Sequence, residues 1–456
     1  MIKHFFDGIL TVDGWRQNRI LEIAESGEIL SMGDGRAEAA DIVHKGYALP
    51  GMANVHSHAF QRAMAGLAEI GGPGADSFWS WRQVMYDFVG KITPDQLEAI
   101  AGQLYLEMLK AGFTSVGEFH YLHHDRDGRP FKDPAEMSGR ILAAAAEIGI
   151  GLTLLPVLYR YSGFGGQAPL DHQRRFILDG EAYLQLLEKL QAAAAGQPAV
   201  VIGMAPHSLR AVDPALLTDV RAGAGAENPC HIHIAEQQKE VADCLDWSGK
   251  RPVEWLLENV AVDERWCLVH ATHVTEAERR AIASSGAVAG LCPITEANLG
   301  DGIFPAAAFL NEGGRIALGS DSNIYVSLAE EIRLLEYGQR LTCGARNVLG
   351  DAENSTGTRI FLAALNGGHQ ALGRPGPAGL QTGAVADFVV LDPAHPALAG
   401  RPAEKIPDSW LFAGDNGVVK DVAVGGRMVI QNRRHEQEDR ITWRFRAVMT
   451  ELAATA

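Results

Sequence analysis

Eight short, β-rich apolar runs recur along the middle of the chain, and nearly all of them end in a residue able to do chemistry. They read ALPGMANVHSH, FTSVGEFH, IGLTLLPVLY, AVVIGMAPHS, PCHIHIAE, WCLVHATH, GAVAGLCP and RIALGSDS. Helical patterns separate most of them, such as PDQLEAIAGQLYLEMLKAG and EMSGRILAAAAEIG. Strands alternating with helices make βαβ units and a parallel sheet. Eight such strands suggest an α/β fold of the (β/α)8 barrel kind, the alternative being an open doubly wound sheet. The run ends favour the barrel. His56, His58, Glu118, His120, His207, His233, Glu236, His270 and Asp321 all fall at or near strand ends. A barrel gathers those ends around one mouth, whereas an open sheet spreads them apart.

Both ends of the chain have a different texture. Residues 1–48 hold short strand-like runs (ILTV, RILEIA, EILSM) with Gly14, Gly27, Gly33 and Gly35 between them. The same texture returns at ADFVVLD and at VKDVAVGGRMVIQN. The tail EDRITWRFRAVMTELAATA reads as an amphipathic helix, able to pack on the barrel or on a partner subunit.

Composition narrows the partners. With 56 Asp and Glu against 40 Lys and Arg, the formal net charge is −16. That argues against a nucleic-acid partner, which needs a basic face. An anionic substrate would need local arginines to overcome the global field. The five cysteines (Cys230, Cys244, Cys267, Cys292, Cys343) form no C-x-x-C pair and read as reduced core thiols in a cytoplasmic protein. The opening MIKHFFDGILTVDGW is broken by Asp7 and Asp13 and is no signal peptide. The stretch 141–158 carries Glu147 and Pro156 and reads as a helix end and a buried strand, so no membrane partner is expected.

The sharpest local signal is His56-Ser57-His58. Residues i and i+2 of a strand face the same side, so both rings can face one ion. His233 ends another strand and Asp321 the last one. Three imidazoles and one carboxylate suit a divalent ion such as Zn2+. His231 shares its strand face with His233; His233 is preferred because Glu236 follows three residues later, within reach of a water at the ion. A carboxylate there can take a proton from water and return it to a leaving nitrogen. His270 is a candidate for polarising the bond under attack or orienting that water. Arg82, in the loop after the first barrel strand and beside Trp79 and Trp81, and Arg210, just past the fourth, are candidates for gripping carboxylates bidentately.

On PGMANVHSH, HIHIAE, LVHATH and GSDS the chain resembles the metal-dependent deaminase branch of the amidohydrolase superfamily. The resemblance assigns His56, His58, His233 and Asp321 to one metal, Glu236 to proton transfer and His270 to catalysis beside Asp321. The missing lysine in AVVIGMAPHS implies one metal rather than two. It also implies a small β-sandwich built from both termini. The expected domains are 1–48 and 376–432 for the sandwich, 49–375 for the TIM-like barrel, and 433–456 for a helical extension.

Within the branch, NVHSHAFQRAMAGL, FWSWR, GEFHYLHHD, APHSLRAV and GLCPITEANLGDG resemble the formimidoylglutamate deiminase family. That resemblance places Gln61, Arg82, Tyr121, His207 and Arg210 in substrate binding. It implies hydrolysis of N-formimidoyl-L-glutamate, a small anionic amino-acid derivative, to N-formyl-L-glutamate and ammonia in histidine degradation, by a homodimer. Three rivals remain at this level: a purine or other ring deaminase, a chlorohydrolase, and a metal-bearing scaffold without turnover.

Overall fold

The computed structural model describes residues 1–69, 78–225 and 227–454; the side chain of Trp79 lies outside the described residues. All eight runs form strands: Met52–Ser57, Phe113–His120, Gly151–Leu158, Val200–Ile202 with Ala205–Pro206, Cys230–Ile234, Trp266–His270, Val288–Leu291 and Arg315–Leu318. Neighbours pair in parallel. The last strand returns to the first, with Leu318 opposite Asn54. The His231 amide donates to the Met204 carbonyl at 3.0 Å and joins the fourth strand to the fifth. The ring is closed, as a (β/α)8 barrel requires.

The helices form where sequence chemistry favours them. Pro94–Ala111 starts in a capping box, in which Thr93 accepts from the Gln96 amide and Gln96 accepts from the Thr93 amide. It stops at Gly112, whose φ of 101° is left-handed. Between these signals Leu97, Ile100, Leu104 and Met108 repeat at three- and four-residue spacing and are buried against the barrel. Glu136–Ile148 ends the same way at Gly149, and the strand Gly151–Leu158 follows, as the sequence suggests.

The run ALPGMANVHSH does not form a single strand. Ile42–Pro50 belongs to a second sheet and Met52–Ser57 to the barrel. Gly51 makes the turn between them: a Cβ there would sit 2.3 Å from the Thr114 side chain. The second sheet has seven strands, in the order Arg427–Ile430, Val419–Val424, Phe388–Leu391, Ile42–Pro50, Ile2–Thr11, Gly14–Ile23, Ile29–Asp34. The two termini therefore interleave. The sheet curls until its ends meet, the Ile29 amide donating to Ala384 and the Gly426 amide to Ala386. It encloses its own core of Phe6, Ile9, Leu21, Ile29, Phe388 and Val390, among others.

The C-terminal helix Glu438–Ala454 packs on Pro94–Ala111 through Lys110–Glu438 (2.8 Å) and Arg444–Glu98 (2.9 Å), with Ile441 beneath. It covers this chain's own barrel. Four cysteines are buried, but Cys343 is exposed, which corrects the reading of all five as core thiols. It is the last residue of the helix Leu328–Cys343, beyond the stretch whose apolar side packs inward. Among the described residues no helix is long and apolar enough to cross a membrane.

Candidate active site

His56 lies within the first barrel strand and His58 just after it, so their rings project to the same side. His233 comes from the fifth strand and Asp321 from the turn after the eighth. One donor atom of each lies within 4.8 Å of all the others, and all four residues are buried. His56 Nε2 is 2.9 Å from His233 Nε2. Asp321 Oδ1 is 3.4 Å from His56 Nε2 and 3.2 Å from His58 Nε2. Bonds of 2.0–2.1 Å to a tetrahedral ion put ligand atoms about 3.3 Å apart, so the observed edges fit such an ion.

Protonation and orientation fit it too. Burial lowers the His56 imidazole to about 3, and burial with the neighbouring rings holds His233 well below the usual range. Neutral imidazole is the ligating form. His58 Nδ1 faces the Phe119 carbonyl (2.9 Å) and His233 Nδ1 the His207 carbonyl (3.1 Å). With Nδ1–H donating there, the Nε2 lone pairs face inward. Burial works against ionisation of Asp321, but the neighbouring His56, His58 and His270 rings hold its carboxyl well below the usual carboxylate range.

The backbone carrying these groups is strained. Ala235, His270 and Asp321 have φ of 51°, 68° and 47°, left-handed values that non-glycine residues seldom adopt. A buried amide clamp supports the turn. Asn323 Nδ2 donates to the carbonyls of Asp321 (2.9 Å) and His58 (3.1 Å) and to Ser57 Oγ. Asn54 donates to Ser320 Oγ and accepts from the Ser320 amide. Below, the Glu118 carboxylate accepts from the Ala59 amide at 2.6 Å and from Tyr105 at 3.2 Å, and burial pushes it up to about 7. Replacing Asn323 by Gly removes the amide while tolerating its φ of 55°. Supporting residues of this kind are worth roughly 10- to 100-fold in metal affinity, so Asn323→Gly is expected to weaken Zn2+ binding by that factor in a chelator competition.

His231 does not join the cluster. One layer down the barrel, its Nε2 donates to the Ala371 carbonyl at 2.8 Å. His120 likewise turns away from the cavity and packs edge-on to His123.

A small cavity opens onto the cluster. Gln61, Arg82, Tyr121, His207, Arg210, Glu236 and His270 all line it beside His58, His233 and Asp321. Glu236 is buried with its amide donating to Glu240 (3.0 Å); burial, Asp321 and Glu240 raise its carboxyl, against the pull of His270 and Arg210. Its Oε1 is 3.9 Å from His270 Nε2. Burial disfavours a charged His270, yet Glu236, Glu296 and Asp321 outweigh it and raise the ring to about 10. His207 is buried among Tyr121, Tyr159 and His233, its Nδ1 2.8 Å from Ser208 Oγ.

Arg82 is not in a loop. It belongs to the helix Phe78–Val89, a stretch without glycine or proline that places Trp81, Arg82, Met85 and Tyr86 on one wall of the cavity. Arg82 Nη2 donates to Tyr159 Oη at 2.9 Å, and the guanidinium lies over the Tyr86 ring. Gln173 fixes both tyrosines, donating to Tyr159 at 2.9 Å and to Tyr86 at 3.2 Å. Tyr86 and Phe176 carry no sequence signal that singles them out.

The arrangement combines a cation site, a buried carboxylate beside it and two guanidinium groups in one cavity. It can activate water and hold an anion. Comparison with known proteins agrees with that chemistry. The amidohydrolase family model matches residues 47–429. Formimidoylglutamate deiminase of Pseudomonas aeruginosa is 54% identical over 98% of this chain and 99% of its own length. A 5-methylthioadenosine/S-adenosylhomocysteine deaminase of Natronomonas pharaonis is 27% identical over 91% of this chain and 88% of its own. An amidohydrolase from Brucella melitensis, 49% identical, superposes with a TM-score of 0.95 over 99% of this chain and all of its own. A zinc-bound adenosine deaminase from Xanthomonas campestris shares the fold at 20% identity, with a TM-score of 0.82 over 99% of this chain and 98% of its own. A family match that runs from the sandwich strand Ile42–Pro50 through the whole barrel, together with a relative more than half identical from end to end, means that this chain belongs to the amidohydrolase family.

Proposed function

We propose that this chain hydrolyses N-formimidoyl-L-glutamate to N-formyl-L-glutamate and ammonia, with one Zn2+ ion held by His56, His58, His233 and Asp321. The observation that carries the substrate is the pair Arg82 and Arg210, both lining the cavity that holds the metal cluster and Glu236. In a chain of net charge −16, two guanidinium groups in one small cavity match a substrate with two carboxylates. The 54% identical deiminase of Pseudomonas aeruginosa supports the same reading.

When bound, the ion supplies Lewis acidity and lowers the pKa of water there to about 7. The chain's own residues do the rest. Arg82 and Arg210 hold the glutamate carboxylates and Gln61, Tyr121 and His207 the body of the substrate, so the formimidoyl carbon lies over Glu236. Glu236 accepts a proton from the attacking water as its oxygen adds to that carbon. His270 donates to the developing charge on oxygen. Glu236 then delivers that proton to the terminal nitrogen, takes the remaining proton of the new hydroxyl and passes it to the same nitrogen, so that the C–N bond breaks, the formyl C=O forms and ammonia leaves. The bond to glutamate stays intact because the carboxylate grip fixes which nitrogen faces Glu236.

The test is substitution of each arginine. Charge-assisted hydrogen bonds contribute roughly 1.5–3 kcal/mol, so Arg82→Met or Arg210→Met should lower kcat/KM for formimidoylglutamate by roughly 10- to 150-fold. The loss falls in KM if the grip serves ground and transition states alike, and in kcat as well if it sets registry. Wild-type kinetics in both variants would remove the arginines from the substrate reading.

A further inference from the structure

We propose that Glu296 is a positioning residue for His270, holding the ring so that Nε2 faces the reacting centre; this rests on the role given to His270 in the proposed function. Glu296 lies in the short helix Pro293–Leu299, after the seventh barrel strand, and is buried. A single oxygen, Oε1, receives two donors. The Cys292 amide donates to it at 2.8 Å, and His270 Nδ1 lies 3.2 Å from it. The first contact locks the carboxylate at the start of its own helix. The second ties the helix to a ring at the end of the sixth strand.

The ring needs such a tie. An imidazole turns about Cβ–Cγ in a broad, roughly two-fold well, and the two orientations differ in whether a nitrogen or a carbon faces the cavity. His270 also stands on strained backbone, with φ of 68° followed by 48° at Ala271. Its ring lies nearly parallel to His233, 11° between planes, and that stacking leaves the flip open. The Nδ1 contact is the one at hydrogen-bond distance, among the described residues, that distinguishes the two orientations. With Nδ1 held by Glu296, Nε2 lies 3.9 Å from Glu236 Oε1 and 3.8 Å from Asp321 Oδ2, between the proton carrier and the metal cluster. Glu296 is absent from the cavity wall, so it touches no substrate and acts through His270.

Two variants separate positioning from simple helix support. Glu296→Gln keeps an acceptor oxygen, which the Cys292 amide would hold in place. Glu296→Leu keeps the bulk and removes the acceptor. On N-formimidoyl-L-glutamate, Glu296→Leu is expected to lower kcat by roughly 10- to 150-fold with KM within about threefold, and Glu296→Gln to restore kcat to within about tenfold of wild type. In a His270→Asn background the Leu substitution should cost less than about threefold more, because the group it positions is gone. An equal loss in both backgrounds, or wild-type kcat in Glu296→Leu, overturns the proposal. A second readout needs no substrate. In histidine-15N-labelled protein the His270 Nδ1 proton should give a slowly exchanging signal, identified by its loss in His270→Asn. That signal should vanish in Glu296→Leu and survive in Glu296→Gln. Its persistence in Glu296→Leu overturns the proposal even if formimidoylglutamate proves not to be the substrate, whereas failure of the wild type to release ammonia counts only against the proposed function.

Discussion

Glu236→Gln is expected to keep its metal and its fold and to lose most of its turnover. The carboxylate is buried in the cavity, 3.9 Å from His270 and close enough to Asp321 and Glu240 for both to raise it. The amide has the same shape but cannot take a proton from water. Removing a general acid–base group costs about 10²–10⁴-fold, and the loss should lie in kcat because the group acts only as the bond forms and breaks. Stability should hold or rise, since the substitution takes one negative charge out of a buried region that already contains Asp321, Glu240 and Glu296. Steady-state kinetics, bound Zn2+ by mass spectrometry and thermal melting check the three parts. Near-normal kcat in this variant would move the proton-carrying role to another residue.

Removal of the metal should abolish turnover entirely, and Zn2+ should restore it. The stripped protein leaves three imidazoles and a carboxylate facing one another within 4.8 Å with nothing between them. An ion that binds only the folded state stabilises it by mass action, about 4.1 kcal/mol at a free concentration a thousand times Kd. Chelation should therefore lower the melting temperature as well as the rate. His56→Ala and Asp321→Ala should each reproduce both effects and resist rescue by Zn2+, because neither leaves a complete set of donors. One ion per chain is the expected stoichiometry. Turnover that survives exhaustive chelation would separate the chemistry from this cluster.

The barrel and the candidate metal cluster are legible in the sequence for one reason: strand ends are local features. His56, His58, His233, Glu236, His270 and Asp321 each sit where an apolar run stops, and closing the barrel brings such stops together. The choice between His231 and His233 could not be settled by periodicity, since both share a strand face. Depth separates them: His231 lies a layer lower against Ala371, and His233 lies among the other donors. Partners far apart in the chain were not visible. Asn54 and Ser320 are 266 residues apart, and only the meeting of the first and eighth strands shows that they clamp the metal turn. FWSWR follows the first barrel strand and by position reads as loop, whereas it forms the first turns of Phe78–Val89, which also bring Met85 and Tyr86 to the cavity. The boundary at Gly51 was hidden for a related reason: Ile42–Pro50 and Met52–Ser57 are both apolar and β-rich, and only their different partners divide them.

Ammonia release reports on metal-dependent hydrolysis of a linear formimidoyl substrate with two carboxylates. Purified, Zn2+-loaded protein would be incubated in parallel with N-formimidoyl-L-glutamate, adenosine and 5′-methylthioadenosine, with ammonia quantified and the amino-acid product identified by mass spectrometry. The expected result is one ammonia and one N-formyl-L-glutamate per substrate consumed, with the nucleosides turned over at least a hundredfold less efficiently, about the 2.7 kcal/mol by which a site that grips carboxylates should disfavour a neutral ligand offering it none. Preferred release of ammonia from either nucleoside, or none from N-formimidoyl-L-glutamate, would contradict it.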